Sequence, residues 1–162
     1  MSELYTTYYQ SPVGGMEIKG TESYIVSVLF VEQVGETALE IPPLLQLCIQ
    51  QFDEYFAGTC QTFTIPVQQT GTEFQQRVWD ALRKIEFGQT FSYLEIALRV
   101  GDVHSVRAVG NANGKNKVNI IVPCHRVIGS NGKLVGYGGG LWRKQRLLEH
   151  EAKFARGILT LF

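Results

Sequence analysis

Residues 121 to 129 read IVPCHRVIG: a cysteine directly behind a proline, followed at once by histidine and arginine, at the end of a β-branched run. A thiol attacks only as its thiolate, and a neighbouring imidazole with nearby cationic charge is the usual way to lower a cysteine pKa from about 8.5. Cys124 is therefore the candidate nucleophile and His125 the candidate base. Pro123 fixes its own φ and restricts Val122, which stiffens the approach to the cysteine. Taken alone, the stretch also suits a buried structural cysteine closing a strand, because an unbridged Cys packs as a small hydrophobe.

The elements that must hold such a site lie in the second half of the chain. Thr72 with Gln75, and Ser92 with Glu95, fit the capping box, so helices are expected from about residues 73 and 93. The first presents Phe74, Val78, Trp79, Leu82 and Ile85 to a core and stops before Gly88. The second, Tyr93 to Val100, is followed by Gly101 and a third helical stretch, Ser105 to Gly114, containing Arg107. Two short helices joined by a glycine-containing turn read as a helix-turn-helix, whose second helix normally meets DNA, although helix pairs in ordinary cores share the pattern. Val118 to Val122 reads as a short strand leading to Cys124. Val127-Ile128 and Leu134-Val135 flank a Ser-Asn-Gly-Lys turn, which predicts a hairpin and a winged-helix arrangement. Gly136, Gly138, Gly139 and Gly140 surround Tyr137 in a loop with little side-chain bulk, where backbone could approach a ligand closely. A last helix from about Leu141 carries Leu147, Leu148 and Glu151.

The first half carries no recognisable chemistry. Met16 to Lys19 and Tyr24 to Val31 read as strands joined by a short loop, Pro42-Pro43 open a helix that Gly58 ends, and Gln61 to Pro66 reads as another strand. Cys48 falls on the apolar face of that helix and is expected in the core. Gln68 to Gly71 is a linker candidate. The chain of 162 residues, 44% hydrophobic, suits one average or two small globular domains. Its zero net charge hides a split: residues 1 to 70 hold eight acidic side chains and one base, Lys19, whereas residues 71 to 162 hold fourteen Lys/Arg against seven Asp/Glu. That asymmetry points to a polyanion partner for the second half, or to attraction between the halves. Cys48, Cys60 and Cys124 have neither zinc nor disulfide spacing, which excludes a disulfide-rich secreted scaffold and makes a reducing cytoplasm the expected compartment. No apolar run approaches the length needed to span a bilayer.

The second half closely resembles the O6-alkylguanine-DNA alkyltransferases, also called methylated-DNA-protein-cysteine methyltransferases. The resemblance rests on GTEFQQRVW (71 to 79), SYLEIA (92 to 97), RAVGNANGKN (107 to 116), IVPCHRVIG (121 to 129), GYGGGL (136 to 141), and Lys144 followed by LLEHE (147 to 151). SPVGGMEI (11 to 18) is similar, more loosely, to the start of that family's ribonuclease H-like domain. The resemblance implies an α/β protein: a ribonuclease H-like N-terminal domain over residues 1–70, then a mainly helical, winged helix-turn-helix alkyltransferase domain over residues 71–162. It implies that Cys124 takes an alkyl group from the O6 atom of guanine in double-stranded DNA, once, irreversibly and without cofactor or metal, in a monomer. By the same resemblance His125 deprotonates Cys124 through a water, Glu151 orients His125, Asn116 supports the site, and Tyr93 meets the guanine edge. Arg107 is the finger that fills the space left by the extruded nucleotide. Val127, Tyr137, Gly138, Gly139 and Gly140 frame the base.

Lys117, Asn119 and Gly138 depart from the family pattern and leave the range of alkyl groups open. Two other classes stay in view. A damaged-DNA-binding protein or regulator with the same helix-turn-helix would lack a nucleophile, and Cys124 argues against it. A cysteine hydrolase with a Cys-His-Glu triad would need no basic groove.

Overall fold

The computed structural model describes residues 3–157. They form two compact units. The first runs through Gln69 and takes in Lys117–Ile121; the second comprises Thr70–Asn116 and the chain from Val122 onward. The fold is mixed α/β, a small sheet with one helix in the first unit and a mainly helical second unit.

In the first unit β1 (Tyr5–Ser11), β2 (Gly14–Gly20) and β3 (Ile25–Val31) form an antiparallel sheet in the order β1-β2-β3. Alternation decides which face is inside: Met16 and Ile18 of β2 are fully buried, while Glu17 and Lys19 at the alternate positions point away and pair at 3.7 Å. Helix α1 (Pro43–Ala57) begins behind Pro42, where a missing N–H costs nothing, and turns Leu45, Cys48, Phe52 and Tyr55 into the core. The strand expected at Gln61 to Pro66 does not form. Thr64 is instead held by the Gln51 side chain, and extended pairing is limited to a single bridge between Val67 and Ile25. Nor is Val118 to Val122 a continuous strand: its pairing is confined to isolated bridges, among them Val118 with Val28, interrupted where Ile120 adopts φ 72°.

The second unit is built on two reciprocal caps. Thr72 and Ser92 accept from the N–H groups of Gln75 and Glu95, whose side chains reach back to the cap N–H groups, and α2 (Glu73–Leu82) and α3 (Tyr93–Val100) start at the expected residues. Each cap is worth about 1 kcal/mol. Helix α2 ends three residues short of Ile85. After α3 a short 3-10 turn (Val103–Ser105) leads into α4 (Val106–Gly114), which packs on α2 and α3. Trp79 of α2 donates its indole N–H to the Ala112 carbonyl at 2.9 Å, fixing α2 against α4. The expected wing hairpin does not form a ladder. Val127–Ile128 (β5) pairs in parallel with Phe91–Ser92 (β4) instead. The Asn131-Gly132 turn closes through Gly129 N–H to Lys133 O at 2.9 Å without a return strand at Leu134-Val135. Helix α5 (Leu141–Arg156) completes the unit. Among the described residues no helix is long and apolar enough to cross a membrane.

Candidate active site

Cys124, His125 and Arg126 form one 3-10 turn between Pro123 and β5. This places three consecutive side chains in three directions within a buried space: Cys124 is 4% exposed, His125 fully buried and Arg126 buried. Helix α5 supplies the opposing wall with Lys144, Leu147, Leu148 and Glu151, which share its inner face at helical spacing. His125 Nε2 lies 2.6 Å from Glu151 Oε2. A carboxylate has only lone pairs to offer, so Nε2 carries the proton and donates it. His125 Nδ1 then presents its lone pair and has no partner among the described protein atoms.

Glu151 is the hub of the site. Besides His125 it accepts Arg126 Nε at 2.8 Å and Nη2 at 3.1 Å, and the Gly88 N–H at 3.2 Å. Gly88 is required for the last contact: it adopts φ 83°, and a Cβ there would sit 2.5 Å from that of Ala155. Burial by itself would push the Glu151 carboxyl up, but His125 and Arg126 hold it well below the usual carboxylate range. Burial pushes the Cys124 thiol up, opposed by the hydrogen bond from Asn116 and the positive charge of Lys144. Asn116 is fixed for this by donating to the Val122 carbonyl at 2.9 Å. Lys144 is buried with its ammonium on the Val135 and Gly136 carbonyls at 2.8 and 3.1 Å, and burial brings its pKa down to about 8.

Tyr93, at the first position of α3, donates to Val135 O at 3.2 Å and also bonds Asn113. Burial raises its pKa, and the charge of Cys124 adds to the effect. Tyr137 lies close enough to feel Cys124, although burial is the main cause of its high pKa. The Tyr137–Gly140 turn is closed by Gly140 N–H to Tyr137 O at 2.9 Å. Gly140 has φ 94° and ψ 144°, a conformation open essentially to glycine alone, and it launches α5 directly from the loop. Gly139 is held by Arg143, which donates to its carbonyl at 2.8 Å. A Cβ at Gly138 would meet nothing within 4 Å, so the space beside it is open. Val127 is fully buried in β5. Arg107 is exposed on α4 and, with Tyr93, Leu94, Val106, Gly110, Asn111 and Ser130, lines a depression of about 550 Å³.

Sequence reasoning brought together Cys124, His125, Glu151, Asn116 and Tyr93. Sequence offers Arg126 only as a cation beside Cys124 and Gly88 only as the end of a helix, and assigns no role to Lys144 or Asn113. Asn113 donates to the Cys124 carbonyl at 3.3 Å. Arg126 was visible beside His125, but its partner is 25 residues away. Lys117 and Asn119 are committed within the first unit: Lys117 N–H bonds Gln69, and the Asn119 amide donates to Val28 O at 2.8 Å. Among the described residues no group of three or more His, Cys, Asp or Glu could hold a metal ion.

Two family descriptions match the chain: the 6-O-methylguanine DNA methyltransferase ribonuclease-like domain over residues 4–69, and the DNA binding domain of the same proteins over residues 73–153. The chain belongs to the 6-O-methylguanine DNA methyltransferase family. Among relatives of this family, the methylated-DNA–protein-cysteine methyltransferase of Mycolicibacterium paratuberculosis is 45% identical over 156 residues, covering 94% of each chain. That of Methanosarcina acetivorans is 41% identical, covering 91% of this chain and 98% of its own. The crystal structure of Mycobacterium tuberculosis OGT in complex with DNA superposes with a TM-score of 0.84 at 44% identity, covering 95% of this chain and 96% of that one.

Proposed function

We propose that this member of the 6-O-methylguanine DNA methyltransferase family repairs DNA by direct reversal, taking the alkyl group of an O6-alkylated guanine onto Cys124 in a single turnover. The observation that carries this reading is the buried Cys124 beside a His125–Glu151 pair at 2.6 Å, within a helix-turn-helix unit. His125 Nδ1 takes the thiol proton through one intervening water. The thiolate sulfur then bonds to the alkyl carbon, the carbon–O6 bond breaks, and its electron pair stays with the guanine. Tyr93 supplies a proton to that leaving base, and the proton held by His125 balances it. The products are a thioether at Cys124 and an unmodified guanine. A sulfur nucleophile suits attack on an sp³ carbon, and the soft, irreversible bond explains why one chain acts once.

The O6 atom inside a duplex cannot reach a cysteine that is 4% exposed, so the nucleotide is extruded at a cost of a few kcal/mol. Arg107, exposed at the lip of the depression on α4, fills the gap in the stack. Tyr137, Val127 and the Gly138–Gly140 backbone frame the base. The cytoplasm, where thiols stay reduced, is the compartment that suits this chemistry. If Arg107 serves extrusion alone, Arg107→Ala slows repair of duplex DNA at least tenfold while changing reaction with free O6-methylguanine base by less than about twofold, since a lost contact of about 1.4 kcal/mol is a factor of ten. Single-turnover rates on both substrates check this, and an equal loss on the free base would move Arg107 into the pocket itself.

A further inference from the structure

Arg126 follows His125 in the same turn, yet its guanidinium reaches the far side of Glu151. It donates Nε to Oε1 at 2.8 Å, Nη2 to Oε2 at 3.1 Å, and Nη1 to the Ile85 carbonyl at 2.6 Å. With His125 at 2.6 Å and Gly88 N–H at 3.2 Å, all four lone-pair directions of Glu151 are engaged. A buried carboxylate touching only a histidine favours the imidazolium, and a histidine already protonated cannot accept the thiol proton. The bidentate guanidinium removes that bias by neutralising the carboxylate without displacing its contact with the imidazole.

We propose that Arg126 is a positioning residue for the alkyl transfer: by clamping and neutralising Glu151 it keeps His125 uncharged, aligned and able to take the Cys124 proton at neutral pH. The inference rests on the reading of Cys124 as acceptor given above. The charged groups facing His125 are Glu151 and Lys144 from α5 and Arg126 from its own turn, where Cys124 is the preceding residue. Burial, Arg126 and Lys144 lower the His125 pKa, and Glu151 alone raises it, with lowering as the balance. Without Arg126 the His125–Glu151 pair, which titrates as a unit, retains one more proton at neutral pH.

The test is the pH profile of single-turnover methyl transfer from free O6-methylguanine base to the full chain, which leaves DNA binding out of the readout. Arg126→Met moves the acid limb up by about one pH unit or more, a roughly tenfold loss below it, whereas Glu151→Gln moves it down. Arg126→Lys, which restores charge without the fork, recovers part of the shift. A uniform loss at every pH with the limb unmoved would show a merely structural role and overturn the proposal. Nitrogen NMR of His125 in the native protein decides independently of whether the variants fold: a neutral ring protonated on Nε2 at neutral pH is expected, and an imidazolium there would overturn it. Failure of the native protein to accept methyl at all would sink the reading beneath it, and the NMR result would still stand on its own.

Discussion

Cys124→Ser is expected to abolish alkyl transfer, with a loss on the order of 10⁶, the scale found when a nucleophile is removed from a catalytic triad. The two side chains are nearly isosteric, so the buried turn at Cys124–Arg126 and the neighbouring Asn116 contact persist. What changes is the nucleophile. A serine hydroxyl ionises far above a thiol, and nothing around this position is strong enough to compensate: burial already pushes even the thiol up, against Asn116, Lys144 and a backbone hydrogen bond. An alkoxide is also a harder nucleophile, poorly matched to an sp³ carbon. Affinity for duplex DNA carrying O6-methylguanine should stay within a few-fold of native, because Arg107 and the α3–α4 surface are untouched. Single-turnover assays with a parallel binding titration check both halves, and residual transfer at more than a small fraction of the native rate would remove Cys124 from the mechanism.

Glu151→Gln is expected to fail in two separable ways. The amide cannot hold Arg126 as a charged pair, and breaking a buried ion pair by removing one partner costs about 3–5 kcal/mol, a large share of the stability of an ordinary domain. The denaturant midpoint should fall accordingly with little change in slope. The amide also no longer stabilises the imidazolium that forms when His125 takes the thiol proton, so transfer slows on free base and duplex alike, unlike the effect of Arg107→Ala. The same residue sets the acid stability of the native protein. Its folded pKa is held below the unfolded value of about 4.3, so its contribution is complete above that value and is lost as pH falls toward the folded pKa. Native protein should therefore lose stability below about pH 4 more steeply than Glu151→Gln. Parallel acid-denaturation curves for the two would show that Glu151 is not the buried anion of this site.

The parts of the fold that could be read from sequence are those specified locally. Thr72, Ser92, Pro42-Pro43, Gly58 and Gly101 set helix ends through contacts within a few residues, and α1, α2 and α3 begin where those residues say. Strands were read less well because a strand exists only by virtue of its partner. Gln61 to Pro66 has strand composition, but Gln51 captures Thr64 instead. Tyr5–Ser11 carries no such local signal: its link to β2 is Pro12-Val13, held by Ser11 Oγ on Val13 N–H and Gly14 O, without the Asn-Gly signature of a tight turn. Val127-Ile128 found Phe91-Ser92, more than 30 residues back, rather than its sequence neighbour across an Asn-Gly turn. The site follows the same division. IVPCHRVIG announces a nucleophile and a base by adjacency, whereas the grip of Arg126 on Glu151 and Ile85, and of Lys144 on Val135, depends on α5 and the Phe87-Gly88 approach being brought together in three dimensions.

Duplex DNA bearing O6-methylguanine labelled on the methyl group, supplied in several-fold excess over the protein, tests the central claim most directly. The account predicts that label moves to the peptide containing Cys124, one group per chain, and that further substrate is left unrepaired once the protein is consumed. Label released as methanol with continuing turnover would identify a hydrolase, label remaining on DNA would identify a binding protein, and either result would contradict the account.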